Sequence, residues 1–171
     1  MKQYLKTVAE MMAIAARTAP KSAGQDFVII EIIDGDTLSK IANEMIAFGE
    51  KSGKGNFDRD AKSVKDSGAV LLVGIKDAKP LGLNCGACGY DDCKEIKPHD
   101  GKEFKGPHCA YRLLDMGIAL GSAAKTANIL NADSRMMYRV GVVARQMKLI
   151  DADLVIGIPI SATGKSIYFD R

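Results

Sequence analysis

The sequence of 171 residues contains no tryptophan, and only 6% of its residues are aromatic. Its formal net charge is +3, from 24 basic and 21 acidic side chains. Proteins that bind nucleic acids usually present a strong basic stripe with interleaved aromatic side chains. The weak charge and the scarcity of aromatic residues therefore argue against nucleic acid as a partner.

The sequence also lacks an apolar run of membrane-spanning length, which takes about 20 residues. Its longest apolar runs are strand-sized, such as Ala69–Ile75. The first three residues resemble the basic start of a signal peptide, but the apolar block at residues 11–16 is short and ends at Arg17. We therefore expect no membrane association and a cytoplasmic location, where cysteines stay reduced and tend to bind metals or act in catalysis.

What the sequence does contain is a compact group of four cysteines. Cys85, Cys88, Cys93 and Cys109 are all the cysteines present, with two, four and fifteen residues between successive members. Thiolates are soft ligands that prefer iron–sulfur clusters, zinc or copper(I). The spacing predicts a loop that wraps around a soft metal centre.

Glycines stand beside the first two cysteines, at Gly86 and Gly89. Glycine adopts positive φ at little cost, so these positions allow a tight bend with amides directed at sulfur. Such donors tune the potential of a cluster. The alternative is a structural zinc site, but zinc ribbons commonly use two Cys-x-x-Cys pairs and only Cys85 and Cys88 form one here. The pattern favours a cluster over zinc, and a disulfide pair is a weaker alternative in a reducing compartment.

Two further residues flank Cys109. His108 would either tune a cluster through a hydrogen bond or be an ordinary loop histidine. Arg112 would either offset the negative charge of a cluster or be an exposed helix arginine. The only other histidine is His99, and no spacing of serine, histidine and carboxylate indicates a catalytic triad.

Apolar periodicity predicts alternating helices and strands. Helices are expected at residues 2–19, 37–48, 57–65, 109–128 and 134–147, the last with its cap at residues 131–133. Strands are expected at residues 27–33, 69–75, 154–158 and 166–169. This alternation without internal repeats predicts one α/β or α+β domain over residues 1–171. The small residues of helix 109–128 predict a helix packed on all sides or, alternatively, a dimer seam.

Residues 84–93 together with Cys109 resemble the small 4Fe-4S module of the corrinoid iron–sulfur protein and of Rnf-type electron-transport subunits. The resemblance implies that all four cysteines ligate one cubane cluster. The last cysteine of that module is typically followed by proline, whereas here Pro107 precedes Cys109 and Ala110 follows it.

The ends of the chain resemble FMN-dependent nitroreductases. Residues 16–25 are similar to the helix and turn that line the flavin site of that family, and residues 155–159 are similar to its closing strand. With the cysteines between them, the chain is identified as a member of an uncharacterised prokaryotic family of ferredoxin-domain proteins. This resemblance implies an α+β fold with a three-layer α/β/α arrangement, helices on both faces of the sheet, and a cysteine-rich loop inserted at residues 80–109. It also implies a homodimer, because the resembled fold builds its cofactor cleft between subunits.

The resemblance implies that FMN is a possible cofactor, with contacts from Arg17, Ser22, Gln25, Gly164 and Lys165. Two features leave this open: the turn lacks the asparagine and tryptophan of that family, and no arginine-rich segment precedes the first helix. Arg17 and Lys165 would then be solvated surface charges. Residues 164–166 also end like a phosphate-binding P-loop, but Pro159 stands where that pattern needs its first glycine, so hydrolysis of nucleoside triphosphates is not expected.

Two main functional hypotheses follow. The first is a redox enzyme in which a 4Fe-4S cluster passes single electrons to a flavin that reduces a small substrate, because a flavin joins one-electron and two-electron chemistry. The second is a non-enzymatic electron carrier, or a redox or oxygen sensor, that holds the cluster alone and meets a redox partner protein. A purely structural zinc site is the third reading. The sequence identifies neither the substrate nor a catalytic residue.

Overall fold

A four-stranded antiparallel sheet organises the structure, a computed structural model that describes residues 1–169. The strands are β1 (Val28–Asp34), β2 (Ala69–Ile75), β3 (His99–Asp100), β4 (Lys105–Gly106), β5 (Asp133–Ser134) and β6 (Leu154–Ser161). The helices are α1 (Lys2–Thr18), α2 (Asp36–Ser52), α3 (Phe57–Asp66), α4 (Ala110–Ile129) and α5 (Tyr138–Gln146). The order in the sheet is β1-β2-β6-β5, and β3 and β4 form a separate hairpin.

Strand β2 lies at the centre of the fold and contains no polar residue. All of its residues are buried. Because successive side chains of a strand point to opposite faces, Leu71 and Val73 enter one hydrophobic core while Val70 and Leu72 enter another. A strand that is apolar on both faces requires a packed layer on each side.

Helices provide these two layers. On one face, α1 and α4 contribute Met12 and Ala123 to the core around Leu71. On the other face, α2, α3 and α5 surround Leu72, with Val140 as a fully buried member. The predicted α/β/α arrangement with helices on both faces is therefore confirmed. The predicted helices near residues 2–19, 37–48, 57–65 and 109–128 and the strands near residues 27–33, 69–75 and 154–158 are also confirmed, with ends that shift by a few residues.

The predicted helix at residues 134–147 is wrong at its start. Ser134 belongs to β5 and pairs with Ile160 of β6, and the helix begins only at Tyr138. Met137 also bridges to β6, where its amide donates to the carbonyl oxygen of Gly157 at 2.7 Å. Backbone hydrogen bonds to β6 therefore hold residues 133–137 extended, against their local helical pattern.

The predicted strand at residues 166–169 is also wrong, because these residues form no ladder. Tyr168 is buried instead, and its hydroxyl lies 2.8 Å from the hydroxyl of Ser67. The apolar residues that predicted a strand instead anchor a loop, with Tyr168 buried and Ile167 packed against the same core.

Helix α4 is not packed on all sides. Leu114 is 58% exposed and Ile118 is 46% exposed, on the face that points away from the sheet. Gly117 and Gly121 lie on the same face, and a Cβ at either would meet nothing within 4 Å. We call these four residues the outer α4 face. No helix within residues 1–169, α4 included, is both long and apolar enough to cross a membrane.

The contact of α5 with β6 generates a stability prediction. A Cβ built on Gly141 would lie 1.8 Å from the carbonyl oxygen of Val155, so the two backbones must separate to admit it. We expect Gly141→Ala to lower the free energy of unfolding by about 3 kcal/mol or more, although alanine is the better helix former. Urea unfolding measures the change.

The control is Gly55→Ala, where a Cβ meets nothing within 4 Å. It should alter stability by less than about 0.5 kcal/mol. Equal unfolding midpoints for wild type and Gly141→Ala would contradict the close packing of α5 on β6.

Candidate functional site

Residues 80–109, which we call the cysteine segment, connect the region after β2 to the start of α4 and carry the β3–β4 hairpin. The hairpin is attached to the body of the protein. Arg145 donates to the Asp100 carboxylate at 2.9 Å and to the carbonyl oxygen of Glu103 at 3.2 Å. The Lys105 amide donates to the carbonyl oxygen of Asp153 at 2.9 Å. These bonds position the chain immediately before Cys109.

The tip of the hairpin is held by Glu103. Lys54, in the loop between α2 and α3, donates to one carboxylate oxygen at 2.6 Å, and the hydroxyl of Tyr138 donates to the other. Burial alone would raise the pKa of Glu103, but the hydrogen bonds from Lys54 and Tyr138 outweigh it and hold that pKa below its usual range. Burial, followed by the hydrogen bond to Glu103, raises the pKa of Tyr138. The hairpin is thus held by the α2–α3 loop and by α5.

The four cysteines are free thiols that differ in burial. Cys85 is exposed, Cys88 and Cys93 are partly buried, and Cys109 is buried. The amide of Asn84 donates to the sulfur of Cys93 at 3.3 Å, and the Cys93 amide donates to Oδ1 of Asn84 at 2.9 Å. One backbone donor is therefore already directed at a thiol.

The two glycines of the loop adopt the conformation that the sequence predicted. Gly86 has φ 73° and Gly89 has φ 88°. A Cβ at Gly86 would approach only the Asp91 carboxylate, at 4.0 Å, and a Cβ at Gly89 would meet nothing within 4 Å. The backbone conformation, and not crowding, accounts for glycine at both positions.

An iron–sulfur cluster and a zinc ion require different distances between the four cysteine sulfurs. Within residues 1–169, no three side chains of cysteine, histidine, aspartate or glutamate lie close enough together to hold one metal ion. Tetrahedral zinc would need its thiolate sulfurs about 3.8 Å apart, given a Zn–S bond of about 2.3 Å. In a cubane each thiolate binds a different iron, so the sulfurs stand farther apart. Four thiols with a directed amide are soft donors that suit a cluster or zinc, and within residues 1–169 they do not stand as close together as one zinc ion requires.

Cys109 precedes the first residue of α4, and the Gly106–Pro107 peptide before it is cis. The neighbouring His108 is only 7% exposed. Its Nε2 lies 2.7 Å from the carbonyl oxygen of Lys105, so Nε2 donates, and the buried Nδ1 has no partner among the described residues 1–169. His108 is therefore a buried histidine in the loop before α4.

Arg112 is the largest fully buried side chain in the described part of the chain, at 1% exposed. The interpretation of Arg112 as an exposed helix arginine is wrong. Its Nε donates to the carbonyl oxygen of Lys79 at 2.9 Å, and Nη1 donates to the carbonyl oxygen of Ser22 at 2.9 Å. Nη2 donates to Oε1 of Gln25. Three separate parts of the chain thus meet at one guanidinium.

Asp115 balances this buried charge. Its Oδ2 accepts from Nη1 of Arg112 at 3.2 Å. Its Oδ1 accepts from the amide of Ser22 at 2.8 Å and from the hydroxyl of Ser22 at 2.7 Å. The guanidinium also stacks 4.8 Å from the ring centre of Phe27. The hydroxyl of Ser22 therefore already donates its proton to Asp115. The sequence could not indicate this contact.

Arg17 lies at the end of α1, shortly before the Ser22–Gly24 turn. It donates to the Asp26 carboxylate at 2.7 Å and to the carbonyl oxygen of Val28 at 2.8 Å. Burial raises the pKa of Asp26, but the Arg17 hydrogen bond and the backbone donor bring it below its usual value. Lys21, which sequence reasoning missed, donates to the carbonyl oxygens of Ala16 and Arg17 at the end of α1.

Gly164 and Lys165 are exposed and lie elsewhere, beside α3. Lys165 lines a cleft of about 300 Å³ together with Arg59, Lys62, Ser63, Asp66, Ser166 and Ile167. Three of these residues are cations and Asp66 is an anion, and Arg59 already donates to the Asp60 carboxylate at 2.7 Å. Sequence reasoning missed Arg59 and Lys62 because they lie about 100 residues before Lys165 and resemble any exposed helix cations.

The register of the sheet separates the two groups. Val28 is opposite Ile75 at one end of the β1–β2 pair, and Asp34 is opposite Ala69 at the other. Arg17 contacts the Val28 end, whereas residues 164–165 follow the end of β6 that pairs with Ala69. Seven strand residues span about 20 Å. The structure brings together Arg17, Ser22 and Gln25 at one end of the sheet and leaves Gly164 and Lys165 at the other.

The chain is similar in sequence to known proteins. A family model described as "Uncharacterized protein containing a ferredoxin domain (DUF2148)" matches residues 105–171. An "Uncharacterized protein" of Archaeoglobus fulgidus is 50% identical over 169 residues, which cover 98% of this chain and 91% of that protein. The chain belongs to this ferredoxin-domain family. The family model includes Cys109 but not the three earlier cysteines.

Solved structures share the fold of this ferredoxin-domain protein. The FMN-dependent nitroreductase NfnB of Mycobacterium smegmatis has a TM-score of 0.60 and 10% identity, over 93% of this chain and 78% of that chain. A nitroreductase with bound FMN from Desulfitobacterium hafniense gives 0.59 and 12%, over 94% and 79%. The nitroreductase CinD of Lactococcus lactis, in complex with nicotinic acid, gives 0.60 and 14%, over 96% and 84%. The predicted nitroreductase-like fold is confirmed.

Tyr168 holds the C-terminal segment that carries Gly164 and Lys165. Its hydroxyl pairs with that of Ser67, which in turn donates to the carbonyl oxygen of Ser63 at 2.7 Å. Burial raises the pKa of Tyr168 to about 12 from an ordinary value of 10.0.

This shift predicts a pH dependence of stability. The unfolded chain loses the Tyr168 proton near pH 10, whereas the folded protein keeps it until about pH 12, so stability present below pH 10 is lost as the pH rises between these values. One pKa unit corresponds to about 1.4 kcal/mol, so the loss should approach 3 kcal/mol. Urea unfolding between pH 9 and pH 12 measures it.

Tyr168→Phe should unfold with a shallower pH dependence than wild type over this interval, because the variant has no proton to lose there. The exposed Tyr4→Phe is the control and should retain the wild-type slope. Parallel curves for wild type and Tyr168→Phe would contradict the assignment.

Proposed function

We propose that this ferredoxin-domain protein is a redox protein whose cysteine segment, inserted in one nitroreductase-like domain, binds a 4Fe-4S cluster through Cys85, Cys88, Cys93 and Cys109. The observation that carries the proposal is a set of four free thiols on a segment held in place by the hairpin, with one amide directed at the sulfur of Cys93. Bound there, a cluster supplies one-electron transfer. Reduced thiols of this kind suit a cytoplasmic location.

The residues of the segment have distinct roles in this proposal. The Asn84 amide donates to the sulfur of Cys93 and so favours negative charge on that ligand. Cys109 lies at the N-terminal end of α4, where the helix dipole also favours negative charge. The left-handed conformations of Gly86 and Gly89 bend the chain between the first three thiols.

We extend the proposal to FMN, which would accept electrons from the cluster and reduce a small substrate. The support is the shared fold with proteins described as FMN-dependent or as containing bound FMN. Gln25 is exposed, and because its Oε1 accepts from Arg112, its Nε2 is the group available to donate to a flavin ring. Lys165, with Arg59 and Lys62, offers charge for the phosphate.

A homodimer accounts for the separation of these two groups. In one protomer the two groups stand at opposite ends of the sheet, so in a dimer one FMN would take its contacts from two protomers. The outer α4 face supplies an apolar surface in which Leu114 and Ile118 are exposed and two glycines admit a close neighbour. Self-association through one face of this kind produces a two-fold dimer.

The cluster proposal predicts that protein purified without oxygen is brown and carries about four irons per chain. Cys93→Ser and Cys109→Ser should each lose most of the iron and the visible absorption, because serine oxygen is a poor ligand for a cluster. Iron analysis with optical and electron paramagnetic resonance spectra checks both variants.

Asp91→Asn is the matched control, since it alters an exposed carboxylate of the same loop and no thiol. It should keep the wild-type iron content. A colourless wild-type protein with one zinc per chain would overturn the cluster in favour of the structural zinc site.

The flavin proposal predicts that the cluster-loaded dimer takes up one FMN per protomer, which denaturation releases as a fluorescent compound. Ile118→Lys places charges in the outer α4 face, so it should yield monomers and weaken FMN binding by at least tenfold. Light scattering and fluorescence titration measure the two effects.

Ile46→Lys is the control, because Ile46 is exposed on α2 in the opposite layer. It should remain dimeric and bind FMN like wild type. Absence of FMN from the isolated protein, together with no uptake on titration, would leave the second hypothesis of an electron carrier or sensor. The exposure of Cys85 favours that alternative, since it places the cysteine loop within reach of a redox partner protein.

A further inference from the structure

Arg112 connects the two regions to which the proposed function assigns its cofactors. It stands three residues after Cys109, in the first turn of α4. Its Nε holds the carbonyl oxygen of Lys79, immediately before the cysteine segment, at 2.9 Å. Its two other nitrogens hold Ser22 and Gln25. Both ends of the cysteine segment and the proposed flavin turn therefore share one side chain.

The turn needs this support. Ala23 has φ 55° and Gly24 has φ 66°, so two successive residues lie in the left-handed region. A residue other than glycine pays roughly 1 kcal/mol or more for that conformation and keeps it only when its surroundings enforce it. Arg112 donates to the carbonyl oxygen of Ser22 before the strained alanine and to Gln25 after it, and the Ser22 amide donates to Asp115, so both sides of the turn are held.

The guanidinium also decides which way the Gln25 amide points. Arginine has donors only, so the amide atom that faces it must be the oxygen Oε1. The Nε2 group is then directed away from Arg112, on an exposed residue. Arg112 does not need to contact a flavin to determine which hydrogen-bonding group the turn offers it.

A conformational change of the cysteine segment would act on the same guanidinium. Arg112 follows Cys109 by three residues, and its Nε holds the carbonyl oxygen of Lys79, so a cluster that fixes the segment would bear on Arg112 from both ends. The donors of arginine form a rigid planar fork, so a shift of the Lys79 carbonyl re-aims the donors that hold Ser22 and Gln25.

We propose that Arg112 is a positioning residue that couples the cysteine segment to the Ser22–Gly24 turn and Gln25, so that a cluster in the segment raises the affinity of the turn for FMN. The inference rests on the proposed function and adds a coupling between its two sites. Coupling between two binding sites is reciprocal. If the turn binds FMN with different affinity when the cluster is oxidised and when it is reduced, FMN binding shifts the reduction potential of the cluster.

The test compares the dissociation constant of FMN for cluster-loaded and metal-free protein, by fluorescence titration. Wild type should bind FMN at least about fivefold more tightly when loaded, the lower end of typical coupling. Arg112→Lys keeps the charge but loses the fork, so it should bind FMN in both forms with a ratio near one. In parallel, the cluster potential should shift on addition of FMN in wild type and stay constant in Arg112→Lys.

Arg139→Lys is the matched control, because Arg139 also combines hydrogen bonds to a carbonyl and a carboxylate with stacking on an aromatic ring, in the opposite layer. It should retain the wild-type ratio and potential shift. If Arg112→Lys does not fold, Gln25→Met removes the same link from the exposed side of the turn and should abolish the ratio.

The outcomes separate the two proposals. Equal affinities for loaded and metal-free wild type would overturn the coupling and leave FMN binding intact. A wild-type ratio in both Arg112→Lys and Gln25→Met would overturn the role of Arg112. If neither form of the wild type binds FMN, the flavin proposal fails, and this inference fails with it.

Discussion

Burial of β2 on both faces is the constraint from which the rest of the structure follows. Each face of an apolar strand must be covered, so helices occupy both sides of the sheet, and polar chemistry is confined to the ends of the strands. The antiparallel register then decides which loops meet. Val28 pairs with Ile75, so the turn before β1 and the segment after β2 emerge at the same end. That shared end holds Gln25, Arg112 and the cysteine segment.

The buried pair of Arg112 and Asp115 is costly as a source of stability. Removing two charges from water usually costs more than their mutual attraction returns, and apolar side chains of similar size often give equal or greater stability. Here the pair is satisfied by additional bonds to backbone and side-chain groups, and these groups belong to segments distant in sequence. Its structural effect is to specify how those segments are arranged, a task that apolar packing performs poorly because it is not directional.

The sequence was sufficient wherever burial alone decides local structure. β2 and α1 were predicted closely because each has a strong apolar pattern. Residues 133–137 were mispredicted because their conformation depends on hydrogen bonds to β6, 20 or more residues away. The four cysteines were recognisable from their spacing, and the glycines beside them from the turn they permit. The burial of Arg112 was not recognisable, since its partners lie 33 and 90 residues away and an arginine after a helix start is most often exposed.

The two functional hypotheses make different demands on this end of the sheet. A protein that only carries electrons needs its thiols held in place and accessible, which the hairpin and the exposed Cys85 provide. Electron transfer by a cluster alone does not require a strained Ala23 or a Gln25 amide that is oriented by a buried charge. Strain that persists at a turn is most often tied to binding. A second ligand at this turn would account for both features, and the proposed FMN is a ligand of this kind.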